Sequence, residues 1–85
     1  MVSPMHERMK ILDEAFEYAN EYVLETTDCL EVKRISNGWC DVWARAVKRK
    51  AGFVEVRQSY GHWFVVYDGV AYDSETTEHG FDPPE

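Results

Sequence analysis

Gly61-His62-Trp63-Phe64-Val65-Val66-Tyr67-Asp68-Gly69-Val70-Ala71-Tyr72-Asp73 is the stretch whose reading decides the fold. Side chains on a strand alternate between faces, so Trp63, Val65 and Tyr67 go to one side and His62, Phe64 and Val66 to the other. Asp68-Gly69 is the strongest short hairpin signal, because a two-residue turn of this kind needs positive φ at both positions. With Asp68 and Gly69 as the loop, Tyr67 stands opposite Val70, Phe64 opposite Asp73 and His62 opposite Glu75. This third strand is expected to run from Val70 to Ser74 or Glu75. His62, Phe64, Asp73 and Glu75 then project from one side, with His62 and Asp73 as diagonal neighbours. An imidazole and a carboxylate can meet there.

Toward the N-terminus, Phe53, Glu55 and Arg57 alternate with Val54, Val56 and Gln58, which reads as another strand, and Ser59-Tyr60-Gly61 turns it into the hairpin. The three strands make an antiparallel meander. Before them a helix starts close to Cys40, with Val42, Trp43, Ala46 and Val47 on its inner side. Lys48, Arg49 and Lys50 occupy its last turn, where cations suit the dipole, and Gly52 is placed to cap it. Ser36-Asn37-Gly38 lets the backbone turn sharply just ahead of it. From Cys40 to Gly52 this helix travels about 18 Å at 1.5 Å per residue. A strand of about six residues returns roughly 20 Å at 3.3 Å per residue. His62 is thereby carried back to the end where Cys40 lies, and the third strand brings Asp73 and Glu75 home. A cysteine at a helix N-terminus has its thiolate favoured by the dipole and by free N–H groups, and a nearby imidazole can take its proton. A carboxylate on the other ring nitrogen fixes the tautomer. Asp41 beside the sulfur disfavours the thiolate unless it points outward as a first-turn helix acid, which is the expected orientation.

At the other end of the chain, Ser3-Pro4 offers a helix cap, and Met9, Leu12, Phe16, Ala19 and Val23 recur at spacings of three and four. This is an amphipathic helix with a wet face of Asp13, Glu14, Glu17, Glu21 and Glu25. Thr26 to Asn37 is a connection with a short helical piece around Cys29–Val32. Trp63, Val65, Tyr67, Val70 and Tyr72 share an apolar face that needs a cover, so the sheet is expected between the two helices, or paired with a second copy through that face. From about Thr76, Gly80, Pro83 and Pro84 indicate an irregular tail.

Eighty-five residues, 45% hydrophobic and 14% aromatic, suit one small folded domain spanning 1–85. The net charge of −7 opposes nucleic-acid binding, since phosphates demand a basic footprint. The charge is zoned: residues 7–31 carry −6, residues 33–57 carry +5 and residues 58–85 carry −6. The acidic zones read as a wet helix face and a tail, and the basic zone as a helix end or a patch for an acidic partner. Two cysteines are too few for a disulfide framework, and no stretch resembles a signal peptide or a membrane span, so a cytoplasmic protein with reduced thiols is expected. Cys29 has no activating neighbour in sequence. A zinc set of Cys29, Cys40, His62 and His79 lacks any close Cys-x-x-Cys or His-x3-His pair, so no metal and no cofactor is called for.

Three segments together, Asn37-Gly38-Trp39-Cys40-Asp41-Val42-Trp43-Ala44-Arg45-Ala46, Ala51 to Arg57 and Gly61 to Asp73, resemble the papain-like, and specifically the transglutaminase-like, cysteine enzyme core. The likeness is to a minimal, small phage- or bacterial-type member. That family shows Gly-x-Cys at the start of a helix, a strand after a Gly, a His-x-Trp-like strand, and an Asp on the next strand. The resemblance implies an α+β fold with an N-terminal helix, a Cys helix and a three-stranded meander. It implies Cys40 as nucleophile, His62 as general base and Asp73 as orienting acid. The Cys40 N–H would form half of an oxyanion hole, with Asn37 or Trp39 supplying the other half and Glu75 at the rim. The expected activity is cysteine-dependent acyl transfer, as a peptidase, deamidase or transglutaminase, on a protein or peptide, by a monomer or homodimer. The alternative is a catalytically silent module of the same fold that binds or inhibits a partner, for example a phage accessory protein.

Overall fold

Leu12, Ala15, Phe16, Ala19 and Val23 fall on one stripe of a 3.6-residue helix, and burying that stripe organises the protein. The computed structural model describes residues 4–84, with side chains from His6 onward, and places the stripe on helix α1, Pro4–Thr26. All five residues are buried, while Met9, assigned to the same stripe, lies at its rim with 36% of its surface exposed. The proposed cap at Ser3 lies outside the described residues. No glycine ends this helix. Instead the Thr26 and Thr27 hydroxyls donate to the carbonyls of Tyr22 and Val23, both at 2.6 Å, and the Val23 carbonyl also accepts from the Thr27 N–H at 3.0 Å, so the last turn is held by threonine back-bonds.

The connection contains a single 3-10 turn, Val32–Arg34, and leads into α2, Cys40–Lys50. Trp43, Ala44, Ala46 and Val47 are its buried residues. The two alanines allow close approach, and Trp43 fills the space between the helices, stacked on Phe16 at 5.7 Å. Its indole N–H donates to Asn20 Oδ1 at 2.9 Å, so this large side chain is buried with its one donor satisfied. Burial of a side chain this size stabilises the fold by about 2–3 kcal/mol.

Gly52 does not adopt a left-handed cap: α2 ends at Ala51 with φ −118°, and the Lys48 ammonium donates to the carbonyls of Gly52 and Val54, both at 2.6 Å. Phe53 and Val54 remain in this turn, and strand β1 begins only at Glu55, running to Ser59. The basic end of α2 is laid over aromatic faces, with Arg45 over Trp63 (5.1 Å), Arg49 over Tyr22 (5.0 Å) and Lys50 over Tyr18 (4.7 Å). Three of the seven cations of the positive zone thus rest on rings, and the others are held by carbonyls or by Glu31 and Glu55.

Strand β2 is His62–Tyr67 and β3 is Val70–Tyr72, and the sheet order is β1-β2-β3, antiparallel throughout. Tyr60 and Gly61 (φ 51° and 82°) and Asp68 and Gly69 (φ 53° and 78°) form two-residue turns with positive φ at both positions. The register Tyr67↔Val70, Val66↔Ala71, Val65↔Tyr72 is the one the Asp-Gly turn dictates. The third strand, however, stops at Tyr72 and not at Ser74 or Glu75. Asp73 and Thr76 close a turn here, the Asp73 N–H donating to Thr76 Oγ1 at 3.0 Å and the Thr76 N–H to the Asp73 carbonyl at 3.2 Å, and this turn carries Ser74 away before it can pair with Trp63.

The sheet does not lie between the helices. Helix α1 packs on α2 and α2 packs on β1 and β2. Val65, Tyr67 and Tyr72 join the core of both helices, with Phe16 and Tyr72 rings 5.3 Å apart. The opposite face, Phe64, Val66 and Ala71, is covered by Phe81 from the C-terminal segment. Ala71 and Phe81 exchange two backbone hydrogen bonds of 2.8 Å, and the Phe64 and Phe81 rings meet edge-on at 5.4 Å. Gly80, at φ +71°, permits this approach, since a Cβ there would lie 2.3 Å from Val70 Cγ1 and 2.8 Å from the Ala71 carbonyl. The fold is thus α+β, two helices stacked on one face of a three-stranded antiparallel sheet and a strap on the other. Among the described residues no helix is long and apolar enough to cross a membrane.

Candidate active site

Two features of the chain bring Cys40 to the head of a helix. In the preceding loop Asn37 N–H donates to Arg34 O (3.0 Å) and Trp39 N–H to Ile35 O (2.9 Å), which coils residues 34–39 tightly. Gly38 then adopts φ +129°, a conformation that an L side chain rarely takes, and the helix opens at Cys40. The thiol is half-buried in the first turn, whose N–H groups have no partner within the helix.

The pairing of β2 determines what the thiol meets. Around a two-residue loop the flanking residues, Tyr67 and Val70, exchange both hydrogen bonds, and the pattern alternates along each strand. Tyr67, Val65 and Trp63 therefore direct their N–H and C=O groups toward β3, and Val66, Phe64 and His62 direct theirs toward β1. Ala71 is out of phase and points outward, which is why it pairs with Phe81. The residue due opposite Trp63 is Ser74, but β3 has already ended. The Trp63 N–H donates instead to Cys40 Sγ at 3.5 Å, and the Gly61 carbonyl, facing the same gap, lies 3.9 Å from that sulfur. Cys40 Sγ thus occupies the space vacated by the short third strand, between the two backbone groups that flank His62.

His62 projects from the face opposite the helices, beside Phe64 at 6.2 Å between rings. Its Nε2 lies 2.9 Å from Asp73 Oδ2, the diagonal contact that the hairpin register implies. Asp73 is held in turn: Oδ1 accepts from the Glu75 N–H (3.0 Å) and from the Thr76 hydroxyl (2.9 Å). Side-chain exposure is 38% for His62 and 13% for Asp73, so the ring meets solvent while the carboxylate is enclosed. An ionised carboxylate only accepts hydrogen bonds, which assigns the ring proton to Nε2. Nδ1, the ring nitrogen nearer the backbone, keeps its lone pair.

The rim candidates are placed differently from one another. Trp39 is half-buried, and its N–H is already spent on Ile35 O, so its backbone is no second oxyanion donor. Asn37 is exposed in the loop before Gly38, with its backbone N–H likewise engaged. Glu75 does not stand opposite His62, because β3 ends before it. Its carboxylate instead accepts from Ser36 Oγ at 3.0 Å, tying the loop before Cys40 to the loop after β3. The cysteines and histidines weighed for zinc are not brought together: Cys29 is buried and donates to Glu31 O at 3.2 Å, and exposed His79 lies 3.8 Å from Glu78. Thr76 and the backbone of Gly61 and Trp63 were not foreseen as parts of this site. The Asp-x-x-Thr spacing from Asp73 to Thr76 was the legible signal, since Asp and Thr readily bond the backbone in turns. Comparison with protein-family models, with curated proteins and with solved structures gave no match.

Proposed function

We propose that this protein is a small cysteine-dependent acyl-transfer enzyme of papain-like, transglutaminase-like type, acting on a protein or peptide. The observation that carries the reading is the His62 Nε2–Asp73 Oδ2 contact of 2.9 Å together with a thiol whose own hydrogen bonds are to the backbone of Gly61 and Trp63, the two neighbours of His62 in the chain; the ring must turn to reach the sulfur. In the mechanism, the Asp73 carboxylate holds the proton on Nε2, and Nδ1 accepts the proton of Cys40. The Trp63 N–H and the first turn of α2 favour the resulting thiolate. The sulfur adds to the substrate carbonyl, and the Cys40 N–H stabilises the oxyanion. His62 returns its proton to the leaving amine as the thioester forms, and water or an amine acceptor then releases the acyl group. Iodoacetamide labelling of the native protein at neutral pH tests the first step. Cys40 of the wild type is expected to react at least tenfold faster than Cys40 of His62→Ala, a margin within what general-base assistance supplies, whereas Cys29 is slow in both because it is buried. Equal rates at Cys40 in the two proteins would dismiss an activated thiol.

The second reading is a module of the same architecture that binds a partner without turnover. Fully exposed Tyr60, adjoining Gly61 at the tip of the β1–β2 turn, favours it, because a large aromatic presented to solvent suits a contact surface. Equal biological effect from wild type and Cys40→Ala would select this reading.

A further inference from the structure

Thr76 lies three residues beyond the last residue proposed to act in the reaction, yet it has three hydrogen bonds to Asp73, two of them through its hydroxyl. Its hydroxyl donates to Asp73 Oδ1 at 2.9 Å and accepts from Asp73 N–H at 3.0 Å. With the Glu75 N–H at 3.0 Å, this fills the accepting positions of Oδ1 that face the protein and leaves Oδ2 for His62. The carboxylate has two oxygens and one rotatable bond to its carbon, so clamping Oδ1 fixes where Oδ2 points. The same hydroxyl takes up the Asp73 N–H as the backbone leaves β3, and the end of β3 is what opens the gap for Cys40 Sγ.

We infer that Thr76 is a positioning residue: it clamps Asp73 so that Oδ2 holds the proton on Nε2 of His62 and keeps Nδ1 free as the base. This rests on the acyl-transfer reading above, but its first readout does not. The probes are the isosteric Thr76→Val, which removes the hydroxyl, and Thr76→Ser, which keeps it. Long-range proton–nitrogen NMR at mildly alkaline pH reports which nitrogen of His62 carries the proton. Wild type is expected to show the Nε2–H form alone, Thr76→Val an average of the two tautomers, and Thr76→Ser the wild-type pattern again. A loss of packing alone would not move this signature or restore it with serine. In parallel, alkylation of Cys40 is expected to slow by about tenfold in Thr76→Val, the factor set by one lost charge-assisted hydrogen bond, and to recover in Thr76→Ser.

A folded Thr76→Val that keeps the pure Nε2–H ring overturns the inference. So does a wild-type ring that already averages between tautomers, a result that needs no variant. A tautomer shift without any change at Cys40 upholds the clamp and removes the base role of His62, which separates failure of the catalytic reading from failure of this one.

Discussion

Asp73→Asn changes one atom of the site and, on this geometry, reverses the proton arrangement of His62. The groups that face Oδ1, the Glu75 N–H and the Thr76 hydroxyl, are donors, so the asparagine must turn its carbonyl oxygen toward them. That leaves the NH2 group facing His62 Nε2 at the position where Oδ2 now lies 2.9 Å away. Two N–H groups cannot share that contact. The ring must move its proton to Nδ1, and an Nδ1–H cannot accept the proton of Cys40. The stability cost is moderate, because all three contacts survive as neutral hydrogen bonds. A charge-assisted bond is worth about twice a neutral one, and the His62 contact is more than a third exposed, so about 2 kcal/mol is lost. A domain with an ordinary margin of stability remains folded. Reactivity falls much further, by roughly 10²–10⁴-fold, as when a triad carboxylate is replaced by its amide. The assay is the rate of carbamidomethylation of Cys40 between pH 6 and 8, read by peptide mass spectrometry against buried Cys29, with denaturant unfolding on the same samples. A folded Asp73→Asn protein whose Cys40 reacts at the wild-type rate would refute the assignment of Asp73 as the group that sets the ring's proton.

Two further outcomes test the fold around the site. Removing the ring that covers the Phe64 face, by Phe81→Ala, is expected to cost about 1–2 kcal/mol, lowering the melting temperature by about 5–10 °C in a domain of this size. An unchanged melting temperature would mean that the strap does not close that face. Burial first, then the nearby charges of Asp13 and Asp68, holds the Tyr72 phenol above its ordinary value of 10.0. A folded-state value above the unfolded one gives stability that is complete below pH 10 and is lost as pH rises toward the folded value. Tyr72→Phe, which keeps the ring beside Phe16, is expected to flatten the fall in melting temperature between pH 9.5 and 11.5. A slope equal to wild type would show that Tyr72 does not govern it.

Much of this arrangement was legible in local patterns. Asp68-Gly69 dictates a two-residue turn, the turn dictates the register, and the register makes His62 and Asp73 diagonal neighbours. The stripe from Leu12 to Val23 and the run from Trp43 to Val47 follow from helical periodicity in the same way. Other features were not legible, because they depend on which groups compete for one donor. The end of β3 at Tyr72 arises because a turn closed by Asp73 and Thr76 takes Ser74 away and leaves the Trp63 N–H to Cys40 Sγ, and β-propensity carries no information on that choice. Placement of the helices was equally out of reach. The pattern left open whether α1 or a second copy would cover the face of Trp63, Val65 and Tyr67, and nothing in it indicated that Phe81 of the tail covers the other.

What the sequence by itself determined about this protein is therefore its periodicity and its turns: two amphipathic helices, three strands, and a cysteine, a histidine and a carboxylate returned to one end by chain length. The tertiary structure alone decided the stacking of both helices on one face, the Phe81 strap on the other, and the seating of Cys40 Sγ at the Trp63 N–H. The physical reason is that periodicity is a property of neighbouring residues, whereas the choice of partner for an unpaired N–H or an apolar face is made among groups tens of residues apart. Those groups meet only when the chain has closed.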